Sequence, residues 1–480
     1  MSDHLAGCVL EPVVGPTLCR SSRRVLGRVK PKTMEEVAAV VRDCAARGVA
    51  LHPVSTGMNW GLGSYLPARD DVAVLDLSSL TAIGPLDREA ATVRIEAGVT
   101  QAGLYAWLAQ HAPELAFNVT GAGSDTSIVG NALERGLGYA GSRAAEIFGL
   151  EVVLADGTVH RPAPGWFSSS GGITAGPQVD TLFAQANFGV VTATWLRLRR
   201  RQAVEMAVIL SGELEPVFAT VRAAFAQNLL TLPVHMGGGA RSDRMQAGLL
   251  RSRWGREPTA AEVQGVFSAA LAAQSAIAAL HGQPGVVRAA LREIRRLGAG
   301  RVKIHALTAK RIDFAERWAR RLGLKQRAEF IGAVRPLLAL TWGEPSNAGL
   351  ASLDFSDTRN DPDHTVTGCI YLNAVTVPDL AASRKVETLT ESAWADTALT
   401  RVFLSSAVLV HVISLHFAND RSEAAHAAAR ALGENLRQAG YPPYRLGMPT
   451  MGNGVPGELA RRLKVALDPQ SLLAPGNYLT

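Results

Sequence analysis

The pattern of apolar and polar residues in the first 200 positions predicts short strands that alternate with helices. The segments Val72–Leu77 and Thr92–Gly98 run apolar or alternate, as strands do. The segment Thr33–Arg47 has helical periodicity, with a threonine and a glutamate at capping-box spacing at its start and a glycine after its end. A second helix is predicted from Thr100 to Gln110.

A hairpin is predicted further along this region. The segment Gly149–Val159 contains two apolar runs joined by Asp156 and Gly157, a dipeptide that favours a tight turn between antiparallel strands. Apolar residues resume from Leu182 to Leu198 and complete the first part of the chain.

Beyond position 200 the chain becomes rich in alanine and arginine, and helical patterns dominate until about Gly332. Helices are predicted at Glu215–Gln227, Glu257–His281, Ser422–Ala439 and Val455–Leu467, and strands at Cys369–Val377 and Val402–Phe417. This order suggests a cofactor domain over residues 1–200, an inserted second domain over 201–445, and a tail over 446–480 that returns to the first.

The stretch Pro53–Ser64 is the first of two loops rich in small residues. It follows a short apolar run and contains three glycines and three hydroxyl residues within twelve positions. Small residues let the backbone curl so that several N–H groups point to one place, and such a concavity binds anions, above all phosphate. No Gly-Lys-Ser/Thr ends the stretch, so it is not a Walker loop, and an ordinary tight turn remains the alternative.

The second such loop, Thr120–Tyr139, leads into a match to the G-x-G-x-x-G pattern at Gly136–Gly141. Asp156 lies at about the distance downstream that a dinucleotide-binding Rossmann unit requires. The residues before the pattern have helical rather than strand character, and Asp156 belongs to the predicted hairpin turn. The context therefore argues against the Rossmann interpretation.

Composition narrows the class of protein. The 480 residues are 47% hydrophobic, enough for more than one packed core, and no run of about twenty apolar residues predicts a membrane span. The N-terminus has no secretory pattern, and the four cysteines lack metal-site spacing, so we expect a reduced, cytoplasmic protein without a metal site. The net charge of +7 comes without a nucleic-acid-binding motif and suits an anionic cofactor or substrate.

Several of these motifs, in this order, resemble flavoproteins of the vanillyl alcohol oxidase and p-cresol methylhydroxylase (PCMH) family. The resemblance rests on Pro53–Pro67, Thr120–Tyr139, Gly149–Gly157, Gly176–Val191, His411–Glu423, Gly440–Arg445 and Asp468–Gly476. It implies an α+β fold: a two-subdomain FAD-binding domain of the PCMH type and an α/β cap domain carrying an antiparallel sheet.

The resemblance also implies FAD as the cofactor, with its pyrophosphate on the first loop and its adenine half near positions 189–191. The residues that it assigns to FAD are Pro53, Ser55, Thr56, Gly57, Met58, Asn59, Trp60, Asp125, Thr126, Ser127, Gly130, Asn131, Gly138, Tyr139, Gly189, Val190 and Val191.

Tyr444 and Arg445 match a Tyr-Arg pair that holds a phenolate oxygen in this family. A guanidinium and a phenol hydroxyl stabilise an anion, which makes hydride loss from the para carbon easier. The resemblance also places His411 in the active-site wall, although a histidine on an apolar sheet face is more often a core residue.

Three departures from the family pattern change the expectations. Leu62 stands where a further phenolate-binding tyrosine is usual, and Ser142 stands where the best-known members have an aspartate near the flavin. Arg143 follows it, so Arg143 and Arg445 together are expected to hold a carboxylate or an extended anionic substrate. At a third position, Asn59 replaces the attaching histidine of related families.

We therefore expect non-covalent FAD, with Cys369 or Tyr371 as the alternative covalent anchor. The predicted activity is removal of a hydride from a C–H next to oxygen, nitrogen or an aromatic ring of a small molecule, by an oxidase or a dehydrogenase. The alternatives are a flavin-binding cyclase or isomerase and an NAD-dependent Rossmann enzyme. A homodimer is compatible with the resemblance, and neither nucleic acid nor membrane is an expected partner.

Overall fold

The computed structural model of the chain describes residues 4–13, 17–162, 176–267, 274–353, 367–453 and 457–478. Its helices α1–α12 are Met34–Arg47, Gln101–His111, Ile128–Leu133, Leu214–Ala226, Ala240–Trp254, Ala260–Phe267, Pro284–Leu297, Ala309–Arg321, Lys325–Ala339, Leu380–Ala393, Ser422–Gln438 and Glu458–Leu467. The start predicted for the last helix, Val455, lies outside the described residues.

Most strands fall into three sheets, a three-stranded and a five-stranded sheet near the start of the chain and a seven-stranded sheet beyond position 200; four short strands form two further pairs. In chain order, strands β1–β19 are His4–Leu5, Cys8–Val9, Val25–Val29, Ala50–Val54, Val72–Asp76, Ile83–Asp87, Thr92–Glu96, Leu115–Ala116, Ile147–Val153, Val159–His160, Val190–Arg197, Arg199–Arg200, Val204–Gly212, Val234–Gly238, Gln274–Gly282, Val302–Leu307, Gly368–Thr376, Thr397–Phe403 and Leu409–Phe417.

The parallel sheet β3-β5-β4 lies under α1. The side chain of Thr33 accepts a hydrogen bond from the N–H of Glu36, and Gly48 ends the helix in the left-handed conformation, as predicted. The buried valines of α1 pack on Leu51 and Leu75. The first loop therefore leaves β4 from a firmly packed base.

The antiparallel sheet β10-β9-β11-β7-β6 contains the predicted hairpin, because β9 pairs with β10 across the turn at Asp156. The carboxylate of Asp156 accepts a hydrogen bond from the N–H of Thr158 (2.8 Å) and so holds the turn. The helices α2 and α3 pack in the core that this sheet forms, and α3 lies within the second loop, Thr120–Tyr139.

The third sheet is antiparallel throughout, in the order β16-β13-β15-β14-β18-β19-β17. Helices α4 and α7 cover one face of its first half, and α10 and α11 cover the same face of its second half. Because strand side chains alternate, the opposite face presents a different set of residues, including His235, Tyr371, Thr400 and Val412. These residues face the site described below.

The first loop is in direct contact with this sheet. The N–H of Tyr371 on β17 donates to the carbonyl of Gly61 (2.9 Å), and a Cβ on Gly61 would lie 2.5 Å from Cδ2 of the Tyr371 ring. Only glycine leaves room for this approach, and the φ of +69° at Gly61 also favours it.

The tail after α12 returns to the first sheet. The N–H of Ala474 donates to the carbonyl of Leu51, and the buried ammonium of Lys464 donates to Asp468 (2.5 Å) and to the carbonyls of Asn187 and Leu473. These bonds hold positions 472–478 beside the first loop.

Two predicted elements are wrong. The second half of the helix predicted at Glu257–His281 is strand β15, whose small residues Ala276 and Ala278 are fully buried in the middle of the sheet. The single strand predicted at Val402–Phe417 is two strands, β18 and β19, which turn back at Ser405. The prediction also missed β13, β14 and β16. Helices and antiparallel sheets together confirm the α+β class, whereas the domain boundaries stay a prediction.

Candidate active site

A groove of about 1190 Å³, open solvent included, runs between the two small-residue loops. We call it the groove. Its walls are residues 52–59, then Thr126, Ser127, Gly130 and Asn131, then Asn187, Gly189 and Val191, and finally Leu473, Ala474, Asn477 and Tyr478 of the tail, with further residues around them.

The first loop offers a row of free backbone donors to the groove. In the described part of the chain, the N–H groups of Ser55 to Asn59 donate to no other group. Buried or half-buried N–H groups are nearly always paired in folded proteins. A run of five such groups around Gly57, whose φ is +70°, is therefore suited to an anion such as a pyrophosphate.

The second loop is held against the first at a distance that excludes side chains. The N–H of Ser127 donates to the hydroxyl of Thr56 (3.1 Å), and a Cβ on Gly130 would lie 2.8 Å from the hydroxyl oxygen of Ser55. The hydroxyl of Ser127 in turn donates to the carbonyl of Ala97 (2.6 Å). Together the two loops make a narrow slot with a polar floor.

Three asparagines in the groove have a buried amide oxygen without a partner in the described structure: Asn131, Asn187 and Asn477. Leaving such a group unsatisfied costs about 1–3 kcal/mol. The ring of His52 is also buried there, and burial lowers its pKa to about 4, so the ring is neutral. Unsatisfied acceptors along a groove of this length fit an extended ligand with its own donors.

A second cavity, which we call the cleft, has about 970 Å³ of empty space and lies between the loops and the inner face of the large sheet. It shares Met58, Asn59 and Asn131 with the groove. Its walls include aromatic and apolar residues: Trp60, Leu137, Tyr139, Met245, Leu337, Leu350, Leu353, Tyr371, Val402 and Val412.

The charged residues in the cleft wall are two arginines, Arg241 and Arg445, and the described wall has no Asp or Glu. One Nη of Arg445 donates to the carbonyl of Glu134 (3.2 Å), while its Nε has no partner in the described structure. Burial lowers the pKa of Arg445, and the nearby carboxylate of Glu134 opposes this shift. The cleft is thus prepared for a negatively charged ligand.

Neutral polar groups complete the cleft. The ring of His235 stacks on Tyr139 with centroids 4.2 Å apart, and its Nε2 has no partner in the described structure. Burial lowers the pKa of His235 to about 4, so the ring is uncharged at neutral pH. Burial also raises the pKa of Tyr139 to about 12 and raises that of Tyr371, so both phenols keep their protons.

Two residues predicted for the site lie elsewhere. Arg143 is fully buried, and its guanidinium donates to Oε1 of Gln101 (2.7 Å) and to the carbonyl of Asn118, away from the cleft wall. His411 lies on the helix-covered face of β19, where its Nε2 is 3.0 Å from the hydroxyl of Ser383. Strand alternation explains this, because the neighbouring Val412 is the residue that faces the cleft.

Only one residue of the predicted Tyr-Arg pair lines the cleft. Arg445 lines the cleft, whereas the hydroxyl of Tyr444 donates to the hydroxyl of Ser142 (3.1 Å), and Tyr444 is not part of the cleft wall. Leu62, at the place of the missing tyrosine, packs against Gly447 at the groove instead.

Most of the residues predicted to hold the cofactor line the groove or the cleft. The exceptions are Asp125, Gly138 and Val190, and Val190 is in the core under α1. The prediction missed Asn187, Asn477 and Tyr478 in the groove and His235 and Arg241 in the cleft. The segment Gly136–Gly141 follows a helix and closes into a turn, with the N–H of Gly138 donating to the carbonyl of Gly141 (3.0 Å).

Comparison with known proteins agrees with this geometry. Residues 25–162 match the FAD binding domain family. The chain is 29% identical to a 1'-carboxy-chondrochloren decarboxylase of Chondromyces crocatus, over 95% of this chain and 91% of that protein. It is 32% identical to the 4-cresol dehydrogenase [hydroxylating] flavoprotein subunit of Pseudomonas putida, over 34% of this chain and 33% of that one.

Solved structures show the same fold. A p-cresol methylhydroxylase with bound substrate superposes with a TM-score of 0.79 at 21% identity, over 100% of this chain and 93% of the other. A 4-ethylphenol oxidase from Gulosibacter chungangensis gives 0.79 at 19% identity, over 96% and 91%. The chain thus contains an FAD binding domain and is similar, in sequence and in fold, to FAD-dependent oxidoreductases of the p-cresol methylhydroxylase type.

FAD is therefore the cofactor, and the fit of the groove is consistent with it. We assign the pyrophosphate to the free N–H groups of Ser55–Asn59 and the adenine end to the side of Asn187 and the tail. Met58, Asn59 and Asn131 would then lie where the flavin passes from the groove into the cleft.

The two alternative anchors for a covalent flavin lie on β17 beside the first loop. Cys369 is buried with Trp60 and Leu18, whereas Tyr371 lines the cleft. Non-covalent FAD stays a prediction, which acid precipitation of the purified protein checks: free flavin leaves with the supernatant.

The described part of the chain has no helix long and apolar enough to cross a membrane. Nor does it contain a group of three or more His, Cys, Asp or Glu residues that could hold a metal ion.

Proposed function

We propose that this protein removes a hydride from a carbon next to an aromatic ring or heteroatom of a small, anionic or phenolic molecule held in the cleft. The observation that carries the proposal is the junction of groove and cleft at Met58, Asn59 and Asn131. This junction supports a substrate bound in the cleft beside the position that we assign to the flavin.

When bound, FAD supplies the two-electron acceptor. Arg445 stabilises negative charge on a phenolate or carboxylate, and its incomplete pairing leaves donors for this purpose. The apolar walls exclude water, which strengthens that interaction because the local dielectric is low.

The chain supplies no carboxylate base in the described cleft wall. Among the titratable side chains of the described wall, His235 can accept a proton or a hydrogen bond through its Nε2, which has no partner in the described structure. A ring whose pKa is about 4 is a weak base. The substrate would therefore bind already ionised, with the arginines favouring its anionic form.

Anaerobic mixing with candidate donors tests the proposal. The FAD-loaded protein is mixed with 4-cresol, 4-ethylphenol or 4-hydroxyphenylacetate, and bleaching of the flavin absorption is followed. Arg445→Gln is expected to slow bleaching by about 10²–10³-fold, as loss of a charge-stabilising donor does. Arg437→Gln, which breaks a surface ion pair with Glu434, serves as the control and is expected to react normally.

The outcome also separates the alternatives. Bound flavin that none of these or related donors bleaches would contradict the oxidoreductase proposal and favour a non-redox role. Oxygen uptake during turnover distinguishes an oxidase from a dehydrogenase.

A second candidate is hydride removal coupled to decarboxylation, favoured by the relative from Chondromyces crocatus that matches along nearly the whole chain. With 3-(4-hydroxyphenyl)propanoate as the probe, a hydride leaves the benzylic carbon and carbon dioxide leaves the next carbon. The electrons of the broken C–C bond form the alkene of 4-vinylphenol. One carbon dioxide per bleached flavin is expected, and bleaching without carbon dioxide would exclude this candidate.

A further inference from the structure

Arg241 has an unusual path into the cleft. It lies in the first turn of α5, directly after β14 and a run of three glycines. A Cβ on Gly237 would lie 3.2 Å from Cδ and 3.4 Å from Nε of Arg241, so the arginine side chain lies over the bare backbone of β14. Gly237 is two positions from His235 and therefore on the same face of the strand, which is the face of the cleft.

The charge of Arg241 acts on the other polar groups of this wall. It lowers the pKa of Tyr139 and of Tyr371, which burial raises. It also lowers the pKa of His235, in the same direction as burial. Tyr371 also experiences the charge of Arg445. The charges of both arginines thus act on the same protonated phenol.

Arg241 differs from the other arginines of its helix, which are paired with carboxylates. Arg244 contacts Asp396 (2.6 Å), Arg251 contacts Glu257, and Arg253 contacts Glu329 (2.8 Å). No described Asp or Glu forms an ion pair with Arg241. A guanidinium that lines an apolar cavity without a carboxylate is energetically suited to receive one from a ligand.

We propose that Arg241 binds a carboxylate group of the substrate, on the wall of the cleft formed by the large sheet. The inference rests on the proposed function and makes the substrate class narrower: an aromatic acid whose carboxylate meets Arg241 while its other end faces Arg445. The protonated hydroxyl of Tyr371 adds a neutral donor to the same cleft wall. The free Nε2 of His235 is an acceptor and selects a hydroxyl or N–H on the same substrate.

A matched pair of probes tests this role by binding alone. The FAD-loaded protein is titrated with 4-hydroxyphenylacetate and with 4-hydroxyphenylacetamide, which has a similar shape without the charge, and the shift of the flavin absorption gives each Kd. The wild-type protein is expected to bind the acid about tenfold or more tightly than the amide, as a charge-assisted bond implies. Arg241→Gln is expected to abolish this preference and to leave the Kd of the amide within about threefold.

Arg244→Gln is the matched control, since it removes an equal charge one turn along α5 outside the cleft. It is expected to keep the preference for the acid. Equal loss of affinity for acid and amide in Arg241→Gln would overturn the inference, because it would mean a structural role. So would a wild-type protein that binds both probes equally.

Failure of the inference is distinguishable from failure of the proposed function. Flavin that neutral phenols bleach, without any preference for acids, would leave the function and remove the role of Arg241. If the protein prefers acids in a way that depends on Arg241, but no donor bleaches its flavin, the role of Arg241 stands and the proposed function fails.

Discussion

Gly61→Ala provides the sharpest test of how the first loop is fixed to the large sheet. The added Cβ would lie 2.5 Å from Cδ2 and 3.1 Å from Cε2 of Tyr371, and 3.3 Å from the carbonyl oxygen of Cys369. The backbone carbonyl and the half-buried ring of Tyr371 are both held by packed neighbours and cannot move without disturbing them. The substitution is therefore expected to push the loop away from β17.

The expected loss in the free energy of unfolding has two parts, one from the backbone conformation and one from overpacking. An L-residue at a φ of +69° costs about 1–2 kcal/mol, and the smaller entropy of the unfolded chain returns about 0.4–1 kcal/mol. Overpacking against Tyr371 adds about 1–3 kcal/mol. The total is a loss of about 1–5 kcal/mol, with a central value of about 3 kcal/mol.

Gly48→Ala isolates the first part. Gly48 has a φ of +66°, but a Cβ there would meet nothing within 4 Å. Urea unfolding of both variants, followed by tryptophan fluorescence and by flavin release, is expected to show a loss of about 1 kcal/mol for Gly48→Ala. In a Tyr371→Ala background, Gly61→Ala is expected to cost only about as much as Gly48→Ala does. Equal losses in the two single variants would refute the steric argument.

Three further expectations concern the cofactor, a buried arginine and pH. Gly130→Ala, whose Cβ would meet the hydroxyl of Ser55 at 2.8 Å, is expected to weaken FAD binding about tenfold or more in titrations of the apoprotein; an unchanged Kd would show that the loops can part freely. Arg143→Met is expected to lower stability by about 1–3 kcal/mol and to leave the Kd of 4-hydroxyphenylacetate unchanged, whereas a weaker Kd would return Arg143 to the substrate site. Burial holds the pKa of His52 and of His235 near 4, below the 6.5 of an unfolded histidine, so the unfolded chain binds more protons between these values. The free energy of unfolding is thus expected to fall as pH decreases from about 6.5 to about 4, by up to about 3 kcal/mol for each ring, and an asparagine variant of either ring should flatten the urea-midpoint profile.

The sequence indicated those parts of the fold and site that depend on local chemistry. Capping at Thr33 and Gly48, the Asp156-Gly157 turn and the small-residue loop Ser55–Asn59 all act over a few positions. Each could therefore be predicted from neighbouring residues alone.

The errors arise where a distant partner decides the structure. The alanine-rich segment that becomes β15 has high helix propensity, but pairing with β13 and β14 on both sides overrides it. The position of His411 depends on which face of β19 is covered by helices, and periodicity does not reveal this. Arg241 had no local signal, because its role depends on a glycine of β14 and on the opposite wall of the cleft.

The return of the tail has a consequence for how the protein is made. The walls of the groove come from positions 52–59 and also from positions 473–478. A ribosome releases these segments more than four hundred residues apart, so a growing chain has the phosphate-binding loop long before it has the rest of the groove. The complete wall of the groove therefore exists only once synthesis has reached the tail. We expect an interrupted chain that lacks the tail to hold FAD more weakly than the finished protein.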